Sequence, residues 1–324
     1  MSRVDVAIAV GKRLGFAVLV LWFVLSLLFG ALVFTPNPPQ AFGQDPPEPE
    51  AGSPRDGGTP LVERYTNFME RYVTLDWGAE FSRGISGEPT RTPYENVVVN
   101  RLAITTVMLL PAIVLTTLVG VVAGLYVGLN PGSMPDRIVR MVSYLGFAIP
   151  GFFLGIVITY YGIFDFGWRN VWYDTNRSLW TVYNVRRLAL PSAVMAVGIL
   201  GVQLRQVRSE ASSLRSEEFV KLVRAKGGGF RTVGRHVFRV SVLPVLSLFL
   251  SELLGLLLLG VIAVELVFNV PGYGTMLLEA ALGKDTDPIM AVTIVTVGVG
   301  LGGRLLEDAL QHVLDPRSND ANGD

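Results

Sequence analysis

No cysteine occurs among the 324 residues. That excludes a disulfide framework, a thiolate metal site and a thiol nucleophile. Histidine is nearly as scarce: His236 and His312 stand far apart, each near the basic or polar end of an apolar stretch. A histidine metal centre is not expected, and both read as interfacial residues. Charge is sparse at 17%, where soluble domains carry about 25%. The 27 basic and 27 acidic residues cancel, which argues against a nucleic-acid partner. Catalytic strings are missing as well. There is no G-x-x-x-x-G-K-[ST], and the Gly227-Gly228-Gly229 run is followed by Phe-Arg rather than Lys-Ser. Neither H-E-x-x-H nor G-x-S-x-G occurs. No cofactor, metal or ATP-hydrolysing site is expected, so the chain does not read as an enzyme. Energy for any work must come from a partner or an ion gradient.

What the chain has in abundance is apolar length: half of its residues are hydrophobic. Leu14–Phe34 runs 21 residues without a charge, enough to cross a hydrocarbon core of about 30 Å. It is too long for the apolar region of a signal peptide, and the following FTPNPPQAFG offers a poor cleavage site. Arg3, Lys12 and Arg13 precede it, predicting an uncleaved anchor with its N-terminus inside. Arg101 and Asp136 bracket 34 uncharged residues, a second span with Pro111 inside it. A third is expected over Met141–Phe164, a fourth over Leu188–Leu204, a fifth over Val240–Phe268 and a sixth from Pro288 past Arg304. The prediction is an all-α integral membrane protein, a six-helix bundle with both termini cytoplasmic.

The intervening segments divide as follows: 1–35, a cytoplasmic stub and first span; 36–100, an extracytoplasmic loop; 101–312, five further helices; and 313–324, a cytoplasmic tail. Pro and Gly density predicts disorder to about residue 60. From Leu61, the series Leu61, Tyr65, Phe68, Met69, Tyr72 has helical spacing and predicts an amphipathic helix on the membrane or at a pore mouth. Trp168, Trp172, Tyr173, Trp180 and Tyr183 form an interfacial aromatic belt after the third span. Arg169, Arg177, Arg186 and Arg187 share that outer loop, against the positive-inside rule. The loop at 205–243 outweighs them: nine Lys/Arg stand against three Glu from Arg205 to Arg239.

Within that loop, EEFVKLVRAKGGGF reads as a short amphipathic helix stopped by glycine. Phe219, Leu222 and Val223 form an apolar edge with no other predicted cytoplasmic segment long enough to bury it. Lys221, Arg224 and Lys226 ring it, which suits a partner groove with an acidic rim. Lipid headgroups are the competing destination. Gly227 is placed where a tight return needs positive φ.

VRAKG, the following Arg235-His236 pair and the Leu243-Pro244 that opens a span resemble the cytoplasmic EAA loop of ABC-importer permeases, in the dipeptide/oligopeptide B-type branch. Val223 stands where that family commonly has Ala, and the Gly227–His236 interval is about one residue short. VELVFNVPGYG at 264–274 is similar to a family motif after the fifth span, and LDPR at 314–317 resembles its ending. Taken in order, the likeness covers roughly residues 95–317. It implies a permease subunit in the cell membrane, working with a second permease, two ABC ATPase subunits and an extracytoplasmic solute-binding protein. It also implies a coupling role for Glu218, Phe219, Val220, Lys221, Leu222, Val223, Arg224, Ala225, Lys226 and Gly227. Peptides, nickel chelates and oligosaccharides all remain open as cargo.

Two carboxylates fall inside predicted spans, where an ionised group is costly and usually faces a cavity or a partner. Glu252 reads near mid-membrane, either lining the translocation path or hydrogen-bonded to a neighbouring helix. Glu265, thirteen residues on, reads near the outer interface. There, packing of the P-G-x-G turn is favoured over a path role. The alternatives to an ABC permease are a secondary transporter titrating Glu252 and a membrane scaffold.

Overall fold

The computed structural model describes residues 3–34, 54, 56–74, 76, 79–83, 89–168, 172–256, 260–283 and 286–314. Its architecture is helical apart from one short ribbon, and it separates into two compact units.

The first unit holds α1 (Arg3–Phe34), α2 (Leu61–Thr74), the ribbon β1 (Ala79–Arg83) and β2 (Pro89–Pro93), the start of α3 (Tyr94–Leu129), most of α10 (Tyr273–Gly283) and much of α11 (Thr286–Leu314). The expected amphipathic helix is α2. Its apolar face is seated on protein, because Phe68 and Tyr72 bury against Leu25, Phe29 and Leu32 of α1 and Met290 of α11. Phe29 meets Tyr65 edge-on at 5.2 Å, a geometry that aromatic quadrupoles favour, and lies against Phe68 with the rings tilted at 5.4 Å. The Ser26 and Tyr65 hydroxyls share a hydrogen bond of 2.8 Å. Most of the strip predicted to be disordered lies outside the described residues. At its end, Asp56 accepts hydrogen bonds from the Gly58 amide and the Thr59 hydroxyl, an Asx turn leading into α2. The antiparallel ribbon pairs Ala79 with Pro93 and Arg83 with Pro89. It is a small addition to the all-α architecture expected. No period-two apolar pattern announces it, since Glu80, Ser82, Thr90 and Thr92 alternate with little that is hydrophobic.

The second unit holds the rest of α3, then α4 (Met134–Ala148), α5 (Gly151–Phe164), α6 (Val182–Leu214), α7 (Glu218–Ala225), α8 (Phe230–Gly255), α9 (Val261–Val267) and the end of α11. At 33 residues, α6 is about 50 Å long, and α3, α4 and α5 all pack on it. Small residues set the distances. Gly120, Gly124 and Gly128 of α3 face Gln203, Val207 and Ala211 of α6, and a Cβ on Gly128 would stand 2.6 Å from that of Ala211. Both rows advance by four residues in the same direction, so the two helices run parallel with i±4 ridges in contact. On another side, Gly146 of α4 meets Val197 and Gly201. Nearer the N-terminus of α4, Asp136 reaches Arg208, so α4 runs antiparallel to α6. The end of α3, the start of α4 and the end of α6 therefore lie at one end of this unit.

The single helix expected over Met141–Phe164 is instead two, α4 and α5, bent by 84°. Pro150 causes the break. It has no N–H to continue the ladder and forces the preceding residue out of the helical region, so Ile149 is extended at φ −104°, ψ 113°. Pro111 and Pro191, by contrast, lie inside continuous helices. Over Val240–Phe268 the helix is described as α8 to Gly255 and α9 from Val261, and residues 257–259 between them lie outside the described residues. Among the described residues, four helices are long and apolar enough to cross a membrane: Gly15–Phe34, Asn96–Leu129, Val182–Leu214 and Pro288–Leu306. Counting α4 and α5 as one broken span makes five.

Between α5 and α6 the chain is tied down by Asn184, which is fully buried in the first turn of α6. Its carbonyl accepts from the Asp174 amide at 3.0 Å, and its amide donates to the carbonyls of Asp174, Arg177 and Ser178. The basic residues placed in this outer loop are partly neutralised. Arg177 pairs with Asp174 at 2.9 Å, and Arg177 and Arg187 stack on the Tyr183 ring at 4.5 and 4.6 Å. Arg186 and Arg187 belong to α6 rather than to the loop, and Arg169 lies outside the described residues.

Candidate functional site

The basic loop folds as α7 between the ends of α6 and α8. Glu217 is its N-cap and the helix runs eight residues. It stops in a Schellman motif: the Gly228 amide donates to the Val223 carbonyl at 2.9 Å and the Gly227 amide to that of Arg224 at 2.9 Å. Gly227 has φ +80°, the left-handed region that favours glycine. Gly228 is required for a different reason, since a Cβ there would stand 2.7 Å from both Cγ1 and the carbonyl oxygen of Val223. Phe230 then opens α8 almost at once.

The apolar edge is divided differently from expectation. Val220 is 1% exposed, inside a cluster with Leu125 and Leu129 of α3, Val207 and Ala211 of α6, and Val233 and Val237 of α8. Phe219 and Val223 are half-buried against the same cluster. Only Leu222 projects, at 56% exposure. The burial is possible because the neighbouring helices overrun their predicted spans: α6 continues to Leu214 rather than Leu204, and α8 starts at Phe230 rather than Val240. Glu218, Lys221, Arg224, Ala225 and Lys226 are exposed. Arg224 donates to the Leu129 carbonyl at 3.4 Å, placing a cation at the C-terminal end of α3, where the helix dipole favours it.

Asp136 was not foreseen as a site residue. It is 1% exposed and accepts from Arg208 Nε at 2.5 Å and Nη2 at 3.3 Å. The Gly132 amide donates to it at 2.9 Å, and Arg140 lies 3.4 Å away. This two-pronged ion pair joins α4 to α6 beside α7. Its signal in sequence is Ser133-Met-Pro-Asp136, a helix-start pattern. Ser133 is indeed the N-cap and accepts from the Asp136 amide.

Glu265 lies at the other end of this unit's apolar core and has no solvent exposure. Thr105 Oγ1 donates to its Oε1 at 2.5 Å and the Thr275 amide to its Oε2 at 2.7 Å. The Thr105 hydroxyl in turn accepts from the Tyr273 amide at 2.8 Å. A side chain at Gly272 would collide with the carboxylate. Glu265 therefore ties the turn after α9, which includes Asn269 at φ +49°, to α3. Glu252 lies on α8, and its side chain is outside the described residues. Glu265 lies on α9, and the stretch that joins it to α8 includes residues 257–259, outside the described residues. An apolar cavity of about 310 Å³ opens where α5 starts at Gly151, against Met195, Gly198 and Ile199 of α6 and Val264 of α9. Glu265 is not among its lining residues.

Long apolar helices held together by glycine contacts, with a short amphipathic helix anchored at one end of the bundle, define a multi-pass membrane protein. The particular family follows from comparison. Residues 120–320 match the binding-protein-dependent transport system inner membrane component family, and the chain belongs to it. This is a family of transport components rather than of catalytic subunits. The chain is 25% identical over 316 residues to the oligopeptide transport system permease protein AppB of Bacillus subtilis, covering 94% of this chain and 97% of that protein. It is 26% identical over 309 residues to the dipeptide transport system permease protein DppB of Lactococcus lactis subsp. cremoris, with the same coverage. A putative peptide permease of Brucella ovis is 28% identical over 268 residues, 80% of each chain.

Proposed function

We propose that this chain is a permease subunit of an ATP-driven peptide importer. It forms the translocation path with a second permease subunit. Two ABC ATPase subunits supply the energy, and an extracytoplasmic solute-binding protein delivers the cargo. The family supports the transport role, and the names of the oligopeptide and dipeptide relatives support the cargo. Six spans are proposed, the fifth drawn from α8 and α9, with both termini cytoplasmic. The domain limits remain those of 1–35, 36–100, 101–312 and 313–324. The parallel course of α3 and α6 supports this topology, because it gathers the 130–133 turn and α7 at one face.

The observation that carries the coupling role is the two-sided build of α7. Val220 locks it to the helices of the bundle while Glu218, Lys221, Leu222 and Ala225 face outward. A push on that outer face is transmitted to α3, α6 and α8 together. Residues 218–227 are proposed as the docking element, with Glu252 kept as a candidate for the path. The test is Ala225→Asp and Gly227→Val in the assembled transporter, read as membrane insertion, ATPase co-purification and uptake. Normal insertion with loss of the ATPase or of uptake is expected. Parent-level ATPase retention and uptake in both variants would remove the assignment. Mass spectrometry of the ligand carried by the native binding protein identifies the cargo, and an absence of peptide there would replace the substrate.

A further inference from the structure

The face of α4 that turns away from α6 has no partner among the described residues, and its chemistry is divided lengthwise. Buried Asp136, Ser143 and Gly146 mark the side on α6. Opposite, Arg137, Arg140 and Tyr144 form one edge at helical spacings of three and four, and Met134, Ile138, Met141 and Leu145 form an adjacent strip. Met141, Tyr144 and Leu145 are each more than half exposed. Arg137, Arg140, Met141, Tyr144 and Leu145 line a shallow groove of about 400 Å³. Arg140 leans toward Asp136 at 3.4 Å, but that carboxylate is already held by Arg208. Arg137 has no anionic partner among the described residues.

We infer that this groove binds an anionic phospholipid, its phosphate on Arg137 and Arg140, its glycerol region beside Tyr144 and an acyl chain along Met141 and Leu145. Three features favour this occupant. Guanidinium groups bind phosphate through paired N–H donors and stack on aromatic rings, and they are desolvated more easily than ammonium. A basic edge continuing directly into an apolar strip matches the polarity gradient of a lipid at the membrane boundary. The charge sits in the first two turns of α4 and the apolar strip continues toward Pro150, as it must if the headgroup is at the interface and the chain runs inward. The competing occupant is a helix of another permease subunit, which has no need of Arg137 and Arg140 side by side at its edge.

The experiment uses the assembled transporter in nanodiscs of phosphatidylcholine with increasing phosphatidylglycerol, and native mass spectrometry after release. Parent protein should retain phosphatidylglycerol in preference to phosphatidylcholine. Arg137→Gln should weaken that retention about fivefold, the effect of one interfacial basic residue, while Arg137→Lys should restore most of it. Arg137 makes no ion pair among the described residues, so the substitution leaves the Asp136–Arg208 bond in place, and unchanged thermal stability checks this. Equal retention by parent and Arg137→Gln overturns the proposal. So does efficient disulfide crosslinking of Tyr144→Cys to a cysteine on a neighbouring subunit, which would show that protein covers the groove. Because the readout is bound lipid, it stands or falls separately from the identity of the transported solute.

Discussion

Glu265 is the residue whose environment departs furthest from its solvated chemistry. Its carboxylate is fully buried, yet a hydroxyl and a backbone amide both donate to it. An unsatisfied buried donor costs about 1–3 kcal/mol. Glu265→Ala should therefore lower the unfolding temperature clearly, because the Thr275 amide and the Thr105 hydroxyl both lose their acceptor. Glu265→Gln keeps the size and one carbonyl acceptor and should fall between parent and Ala. Thermal unfolding of the purified protein in detergent measures the order. An Ala variant as stable as the parent would show that the knot contributes nothing. The carboxylate's place in a P-G-x-G turn was legible from VELVFNVPGYG. Thr105 was not, because it lies 160 residues away in the chain and a threonine in an apolar run carries no mark of its partner.

At the scale of elements, the contact of α3 with α6 depends on three glycines, and packing separates them sharply from others. Gly128 has Ala211 Cβ and the Arg208 carbonyl where its own side chain would be, whereas Gly198 on α6 has nothing within 4 Å. Gly128→Ala should destabilise by about 1–3 kcal/mol through overpacking. Gly198→Ala should be neutral or gain up to about 1 kcal/mol from helix propensity. The two variants compared in one denaturation series test the arrangement, and a Gly128→Ala variant no worse than Gly198→Ala would contradict the close approach. Spacing by four along Gly120, Gly124 and Gly128 was readable in principle, but it does not say which helix lies opposite. The end of α7 was more legible. A triple glycine after VRAK announces a stop, and the φ of Gly227 has the sign expected. What remained hidden was the burial of Val220, Phe219 and Val223, because it depends on how far α6 and α8 extend past the membrane runs that hydropathy detects.

For the whole molecule, orientation is the property to test. The chain has no cysteine, so single cysteines at Ser53, Ser216 and Ser318 can be labelled without background. An impermeant reagent applied to intact cells should modify Ser53→Cys alone, and modification of Ser216→Cys would invert the topology. Energy coupling is tested in the same cells. Uptake should follow ATP and survive collapse of the proton gradient. Uptake that stops with an uncoupler while ATP stays high would instead favour a gradient-driven transporter using Glu252.

Composition and order alone determined that this is a membrane protein, where most of its apolar runs lie and which loop is basic. These are one-dimensional properties: transfer free energy and charge bias add along the chain, so no knowledge of neighbours is needed. The motifs at 219–227 and 264–274 likewise carry their family signature in consecutive residues. Tertiary structure decided what depends on partners distant in sequence. Asp136 became a joint between α4 and α6 only because Arg208, 72 residues on, meets it. Pro150 became a corner of 84° while Pro111 and Pro191 stayed within continuous helices. A proline weakens the local ladder wherever it falls, but the packing of the flanking segments decides whether the helix bends there or continues.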